Sequence, residues 1–113
     1  MSKITTHVLD TSRGKPAIGI RAILYFMKTN SGWGKIGEGI TNTDGRITDL
    51  LQKNTIPEKG IYKINFETGK YFTEINVKGF YPFVEIVFEI DNEEHYHIPL
   101  LLGNFGYSTY RGS

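Results

Sequence analysis

Two stretches of this chain alternate so cleanly that they fix which side chains share a face. In Ile61 to Phe66, Tyr62, Ile64 and Phe66 point one way while Lys63 and Asn65 point the other. In Val84 to Ile90, Val84, Ile86, Phe88 and Ile90 are inward and Glu85 and Glu89 outward. A period of two means strands, and a strand with one apolar face needs a second layer to cover it. Seven tyrosines, seven phenylalanines and thirteen glycines favour strands and tight turns over helices in the rest of the chain.

The other segments follow suit. Ile4 to Asp10 is rich in β-branched residues and stops at a loop punctuated by Gly14 and Pro16. Ile20 to Thr29 is apolar on nearly both faces, as a core strand can be. Asn30 to Gly34 supplies turn residues, and "KIGEGIT" reads as the returning hairpin strand. "NTDGR" (Asn42 to Arg46) is a further turn, with Gly45 suited to positive φ. Thr68 can cap one short helix over about Gly69 to Ile75, where Tyr71 and Ile75 share a face. Asp91-Asn92 is expected to open a hairpin into Tyr96 to Leu102, and a last strand runs from about Gly106 to Arg111. The expected fold is all-β: a two-sheet antiparallel sandwich of seven to eight strands with one short helix, residues 1–113 forming a single domain.

Thirteen basic and twelve acidic residues are scattered along the chain, so no electrostatic footprint for nucleic acid or an anionic membrane is expected. No apolar run approaches the roughly 18 to 20 residues of a helical membrane span. The start, Met1-Ser2-Lys3-Ile4, has no signal-peptide apolar region, and a cytoplasmic location is the expectation. With zero cysteines there is no disulfide and no thiol nucleophile. Glycines 32, 34, 37 and 39 do not precede a helix, so they are hairpin and strand glycines rather than a phosphate loop. No Gly-x-Ser-x-Gly elbow accompanies the serines.

There are three histidines, His7, His95 and His97. In the strand from His95, period two sends Tyr96, Ile98, Leu100 and Leu102 to the core. His95, His97, Pro99 and Leu101 fall on the outer face, which is too apolar to be left bare; a second copy of the chain is the simplest cover. A proline in mid-strand also argues for an edge, a bulge or a covered face. His-x-His can chelate zinc if a third ligand comes from elsewhere, can serve proton transfer near neutral pH, or can simply be hydrogen-bonded at a surface. Periodicity alone therefore reaches a β-sandwich with a polar surface around His97, and does not choose a reaction.

"VLDTSRGKPA" (Val8 to Ala17) and "YHIPLLLGNFGYSTYRGS" (Tyr96 to Ser113) resemble the transthyretin-related family, over essentially the whole chain from Ile4. The final Tyr-Arg-Gly-Ser, with His7 and His97, is similar to the hydrolase branch of that family rather than its hormone-carrier branch. Gly103-Asn104 departs from the family's usual Ser-Pro, a change in a loop. The resemblance implies a transthyretin-like sandwich with one helix after the fifth strand. It also implies hydrolysis of 5-hydroxyisourate, an oxidised purine, to 2-oxo-4-hydroxy-4-carboxy-5-ureidoimidazoline in urate catabolism. A homotetramer built as a dimer of dimers is implied, with sites in a channel at the dimer–dimer interface. The site residues carried over are His7, Arg46, His97 and Ser113 as catalytic, and Tyr110, Arg111 and Gly112 as substrate-binding; no metal and no cofactor is implied, and His95 stays outside the set.

In that reading an imidazole, His97 or His7, deprotonates water, and Arg46 offers a planar donor fork to the oxyanion. Arg111 takes another edge of the substrate or holds the Ser113 carboxylate. "YRGS" is expected to fold back as a wall of the pocket, with Gly112 permitting close backbone approach. Two rivals stand beside this: a transthyretin-like carrier of a small aromatic ligand, and a zinc hydrolase using His95 and His97. A carrier would want an apolar channel without these ionisable groups.

Overall fold

The computed structural model describes all residues except 1, 30, 31 and 113. Nine strands and one helix follow in the order β1 (Ile4–Asp10), β2 (Lys15–Pro16), β3 (Arg21–Lys28), β4 (Gly32–Ile40), β5 (Arg46–Ile47), β6 (Gly60–Phe66), α1 (Thr68–Glu74), β7 (Val84–Ile90), β8 (Tyr96–Leu102) and β9 (Tyr107–Thr109). One sheet runs β2-β1-β8-β9, with β5 also pairing β1; the other runs β4-β3-β6-β7. The transthyretin-like two-sheet sandwich is thus present, with its one helix after β6. The turn expected over Asn30 to Gly34 falls partly outside the described residues, and from Gly32 onward the chain is already strand.

The alternation read from the sequence is what the sheets bury. Tyr62, Ile64 and Phe66 from β6 and Val84, Ile86 and Ile90 from β7 meet Ile4, Val8, Tyr96, Ile98, Leu100 and Leu102 from the facing sheet in one core. Burial of such side chains stabilises by roughly 1.5–3 kcal/mol each.

Two connections differ from expectation. The β1–β8 pair is parallel, from Ile4 opposite Tyr96 to Asp10 opposite Leu102, so the sandwich is antiparallel everywhere except at this pair. Asp91-Asn92 does not close a hairpin: β7 belongs to one sheet and β8 to the other, and the segment crosses between layers. The crossing is stapled by the Tyr96 hydroxyl, shared between Asp91 Oδ1 at 3.1 Å and Asn92 Oδ1 at 3.0 Å. Alternation dictates the face a strand buries and is silent on its neighbour, so both errors are errors of partner.

Thr68 does not cap α1. It lies in the first turn, fully buried, and its hydroxyl has no hydrogen-bond partner among the described residues; Glu67 is the N-cap residue and makes no side-chain cap bond. The Gly69 N–H instead donates to the Pro82 carbonyl at 2.9 Å, so a loop takes the role a capping hydroxyl would have had.

The helix is fastened to β1 by one buried bond: the Tyr71 hydroxyl donates to Asp10 Oδ2 at 2.7 Å, while Asp10 Oδ1 accepts the Arg13 N–H at 3.0 Å. Burial, and then the Asp10 carboxylate, push the Tyr71 phenol up to about 12. A raised folded value means that this phenol contributes stability fully present below its ordinary 10.0 and lost as pH rises through about 12. Tyr71→Phe is therefore expected to cost about 1–3 kcal/mol at neutral pH by leaving Asp10 short of a donor. Urea unfolding measures that loss, and the variant's stability should fall less than the wild type's between pH 10 and 12.

Candidate active site

Three strands bring the polar residues together. On β1, Thr5 and His7 share the outer face; across the parallel ladder they sit opposite His97 and Pro99 of β8. On the other side of β1, His7 is opposite Arg46 of β5. His7, Arg46 and His97 therefore lie on one surface, although ninety residues separate the two histidines in the chain.

Arg46 owes its position to the turn before it. Asn42 Oδ1 accepts the N–H groups of Asp44 at 2.9 Å and Arg46 at 3.0 Å, an Asx-type turn. Gly45 sits at φ +76°, and a Cβ there would come within 2.5 Å of the Val8 carbonyl, so only glycine lets β5 close onto β1. Asn42 was not singled out in the sequence, but its place four residues before Arg46 in a Gly-containing turn is the signal that would have found it.

β8 is an interior strand of its sheet, not an edge, and Pro99 is accommodated differently. The β8–β9 ladder ends at Leu100 opposite Thr109 and returns only at an isolated bridge, His97 opposite Gly112. The proline lies in the gap, and its carbonyl accepts the Thr109 hydroxyl at 2.6 Å.

The tail does fold back along β8. The Gly112 N–H donates to the His97 carbonyl at 2.8 Å, and a Cβ on Gly112 would stand 2.6 Å from His97 Cδ2. The imidazole thus lies flush on glycine backbone. By the same register Tyr110 falls on the histidine face, and it is largely exposed. Arg111 lines one cavity with His97 and Tyr110. Its guanidinium stacks 4.4 Å over the Tyr96 ring and pairs with Glu94 at 2.9 Å, beside this cavity of about 350 Å³ at the open edge between the sheets. Ser113 lies outside the described residues.

Both histidines are held below their ordinary value. Burial depresses His97 most, followed by the positive field of Arg46, then His95 and His7. Burial and then Arg46 lower His7 too, while a backbone hydrogen bond and the charge of Asp44 push the other way. Two neutral imidazoles beside one permanent cation can accept a proton from water and offer a donor fork to a developing negative charge. His95 Nε2 and His97 Nδ1 both turn onto the Thr5 hydroxyl, at 2.9 and 2.8 Å, and among the described residues no group of three or more metal-ligating side chains is assembled. Thr5, the shared partner, was missed in the sequence; its spacing of two from His7 was the available signal.

Because both folded values lie below 6.5, neutral burial of these imidazoles contributes stability present above that pH and lost as pH falls through the folded midpoints. In an NMR titration His7 and His97 should have midpoints below 6.5, and Arg46→Met should move both upward. Midpoints that stay where they were in the variant would mean that Arg46 does not act on the pair.

With this geometry in hand, the likeness to known proteins is extensive. Residues 4–112 match the HIUase/Transthyretin family. A probable 5-hydroxyisourate hydrolase of Caenorhabditis elegans is 47% identical, with 99% of this chain aligned to 82% of that protein. The 5-hydroxyisourate hydrolase of Klebsiella pneumoniae superposes with a TM-score of 0.83 at 33% identity, covering 100% of this chain and 94% of that one. Sea bream transthyretin in complex with thyroxine superposes with a TM-score of 0.89 at 29% identity, covering 97% and 94%. The chain belongs to the HIUase/Transthyretin family.

Proposed function

We propose that this protein hydrolyses 5-hydroxyisourate to 2-oxo-4-hydroxy-4-carboxy-5-ureidoimidazoline in urate degradation. The observation that carries the reading is the meeting of two neutral imidazoles, His7 and His97, with the guanidinium of Arg46 on one sheet face. One imidazole takes a proton from water as its oxygen attacks the ring carbonyl. The guanidinium of Arg46 stabilises the resulting oxyanion. The ring C–N bond then breaks: the carbonyl carbon becomes a carboxylic acid, which ionises to the carboxylate by releasing its proton to solvent, and the nitrogen, given back the proton taken from water, becomes the end of the ureido group. Atoms and charge balance without a cofactor. Tyr110 and the Gly112 backbone flank the site, and Ser113 is carried over from the resemblance as a catalytic residue. Arg111 anchors the tail through Tyr96 and Glu94 at the rim of the cavity it shares with His97 and Tyr110, where a substrate edge can reach it.

The working form in this reading is a cytoplasmic homotetramer, a dimer of dimers whose channel is lined by the histidine face. Exposed apolar side chains favour such an assembly: Phe80, Phe83 and Phe105 on loops, Val87 on an edge strand and Tyr110 beside the site. The rival is a carrier of a small aromatic ligand. It gives no reason for two histidines and an arginine on the channel face, and desolvating them without use costs stability.

The test generates 5-hydroxyisourate in situ from urate with urate oxidase and follows its near-ultraviolet absorbance. Wild type should speed the decay; His97→Asn and Arg46→Met should each lose about 10²-fold or more in kcat. Gly112→Ala should lose about 10²-fold while staying folded, because the added methyl displaces the His97 ring. Decay no faster than in buffer, from folded protein, turns the reading to the carrier.

A further inference from the structure

The mechanism above uses His97 and leaves unused the two groups that hold it. Thr5 Oγ1 lies 2.8 Å from His97 Nδ1 and 2.9 Å from His95 Nε2. Thr5 is only 3% exposed, so water does not stand in for either partner. A hydroxyl carries one proton and donates once, so when both rings are neutral one nitrogen donates to Oγ1 and the other accepts from it.

Only two arrangements satisfy all three groups. In one, Thr5 donates to His97 Nδ1 and His95 Nε2–H donates to Thr5; the His97 proton is then on Nε2, and the nitrogen left for the site is a donor. In the other, His97 Nδ1–H donates to Oγ1 and the Thr5 hydroxyl donates to His95 Nε2. His97 Nε2 then keeps its lone pair, and only this arrangement makes His97 a base.

We infer that Thr5 and His95 are positioning residues that fix His97 in the tautomer with Nε2 free, and that they form a relay carrying a proton between His97 and solvent. The inference rests on the hydrolase reading. As His97 Nε2 takes the proton of the attacking water, its Nδ1 proton passes to Thr5 Oγ1 and the Thr5 proton passes to His95 Nε2. His97 ends neutral, with N–H at Nε2 ready to protonate the leaving nitrogen; Thr5 ends as a hydroxyl donating to Nδ1; and His95 carries the charge. As His97 Nε2–H passes to the leaving nitrogen, the same transfers run backwards, His95 returning its proton through Thr5 to His97 Nδ1, so no imidazolate forms and the start is restored. His95 suits the outer post, because it is half-buried where Thr5 is fully buried, and its ring lies nearly parallel to that of His97 with centroids 6.3 Å apart.

The charged and titratable groups around this relay are few. His7 faces it from β1, Arg46 from β5 and Tyr110 from the tail, while Arg111 is turned to Glu94 on the opposite face. The cationic Arg46 opposes a lasting positive charge on His97, which favours moving that charge outward to His95.

Histidine ¹⁵N NMR of the free protein at pH 8 reads the tautomer without any turnover. Wild type should show His97 protonated at Nδ1 and bare at Nε2, and Thr5→Val, which keeps the shape and removes the hydroxyl, should shift the ring toward Nε2–H. In the decay assay Thr5→Val should lose about 10²-fold in kcat with KM within about twofold, whereas Thr5→Ser should restore most of the rate. His95→Phe should lower kcat and move the acid limb of its pH profile, which a packing role alone would leave in place. A wild-type His97 protonated at Nε2, or Thr5→Val with undiminished kcat, overturns the inference. If the tautomer is as expected but wild type does not hydrolyse, the hydrolase reading falls and takes the relay with it, while Thr5 stands as the group that fixes the ring.

Discussion

The parallel ladder between β1 and β8 is the constraint on which both core and site depend. It joins Ile4 to Tyr96 and runs without interruption to Asp10 and Leu102. Its ends are fastened by the Tyr96 N–H on the Lys3 carbonyl at 2.7 Å and the Thr11 N–H on the Leu102 carbonyl at 2.9 Å, with the Thr6 hydroxyl on the Ile98 carbonyl at 2.6 Å between them. A slip of one residue would exchange Ile4, Val8, Leu100 and Leu102 for Thr5, His7, Leu101 and Pro99 in the core. The apolar cost of that exchange is therefore what keeps Thr5 beside His97 and His7 near them both. Register and site geometry are set by the same burial.

The site tolerates this position because the imidazoles are neutral. Two half-buried imidazolium cations next to Arg46 would be costly, and partial burial and the arginine field act in the same direction to prevent it. The property that removes charge from the folded protein also supplies unprotonated nitrogen at neutral pH. Stability and reactivity here do not compete above the imidazole range; they part only as pH falls, when protonation weakens the fold and removes the bases together.

Much of this was legible in the sequence, and the limits follow a physical line. Which face a residue takes is local: Tyr62, Ile64, Phe66, Val84, Ile86, Tyr96, Ile98 and Leu100 could be assigned from spacing alone, and all are buried. Which strand pairs with which is not local. The β1–β8 contact closes about ninety residues of chain, and nothing in either strand's own pattern marks it as parallel. The expected hairpin at Asp91-Asn92 failed for the same reason, since turn residues serve a layer crossing as well as a tight return. Thr68 illustrates a third kind of limit. Its hydroxyl could cap a helix in principle, but the Pro82 carbonyl, brought from beyond the helix by tertiary contact and not by local pattern, takes the neighbouring Gly69 N–H. Thr5 was passed over because a threonine in a strand is ordinary until its partners are known.

The terminal tetrapeptide can now be understood through the alternation that governs the core. Opposite β8, residues 110 and 112 take the histidine side and residue 111 the other. Arg111 uses its side to lie over Tyr96 and reach Glu94, contacts worth about 1 kcal/mol or less each at this exposure. That modest hold suffices, because what it must keep in place is short: one glycine whose N–H meets the His97 carbonyl and whose missing side chain leaves room for the ring. An arginine between a tyrosine and a glycine is thus a clip with its anchor on one face and its function on the other. The same Tyr96 that the arginine covers also seals the layer crossing through Asp91 and Asn92. Tail, crossing and His97 are therefore coupled through a single aromatic residue next to the histidine in the chain.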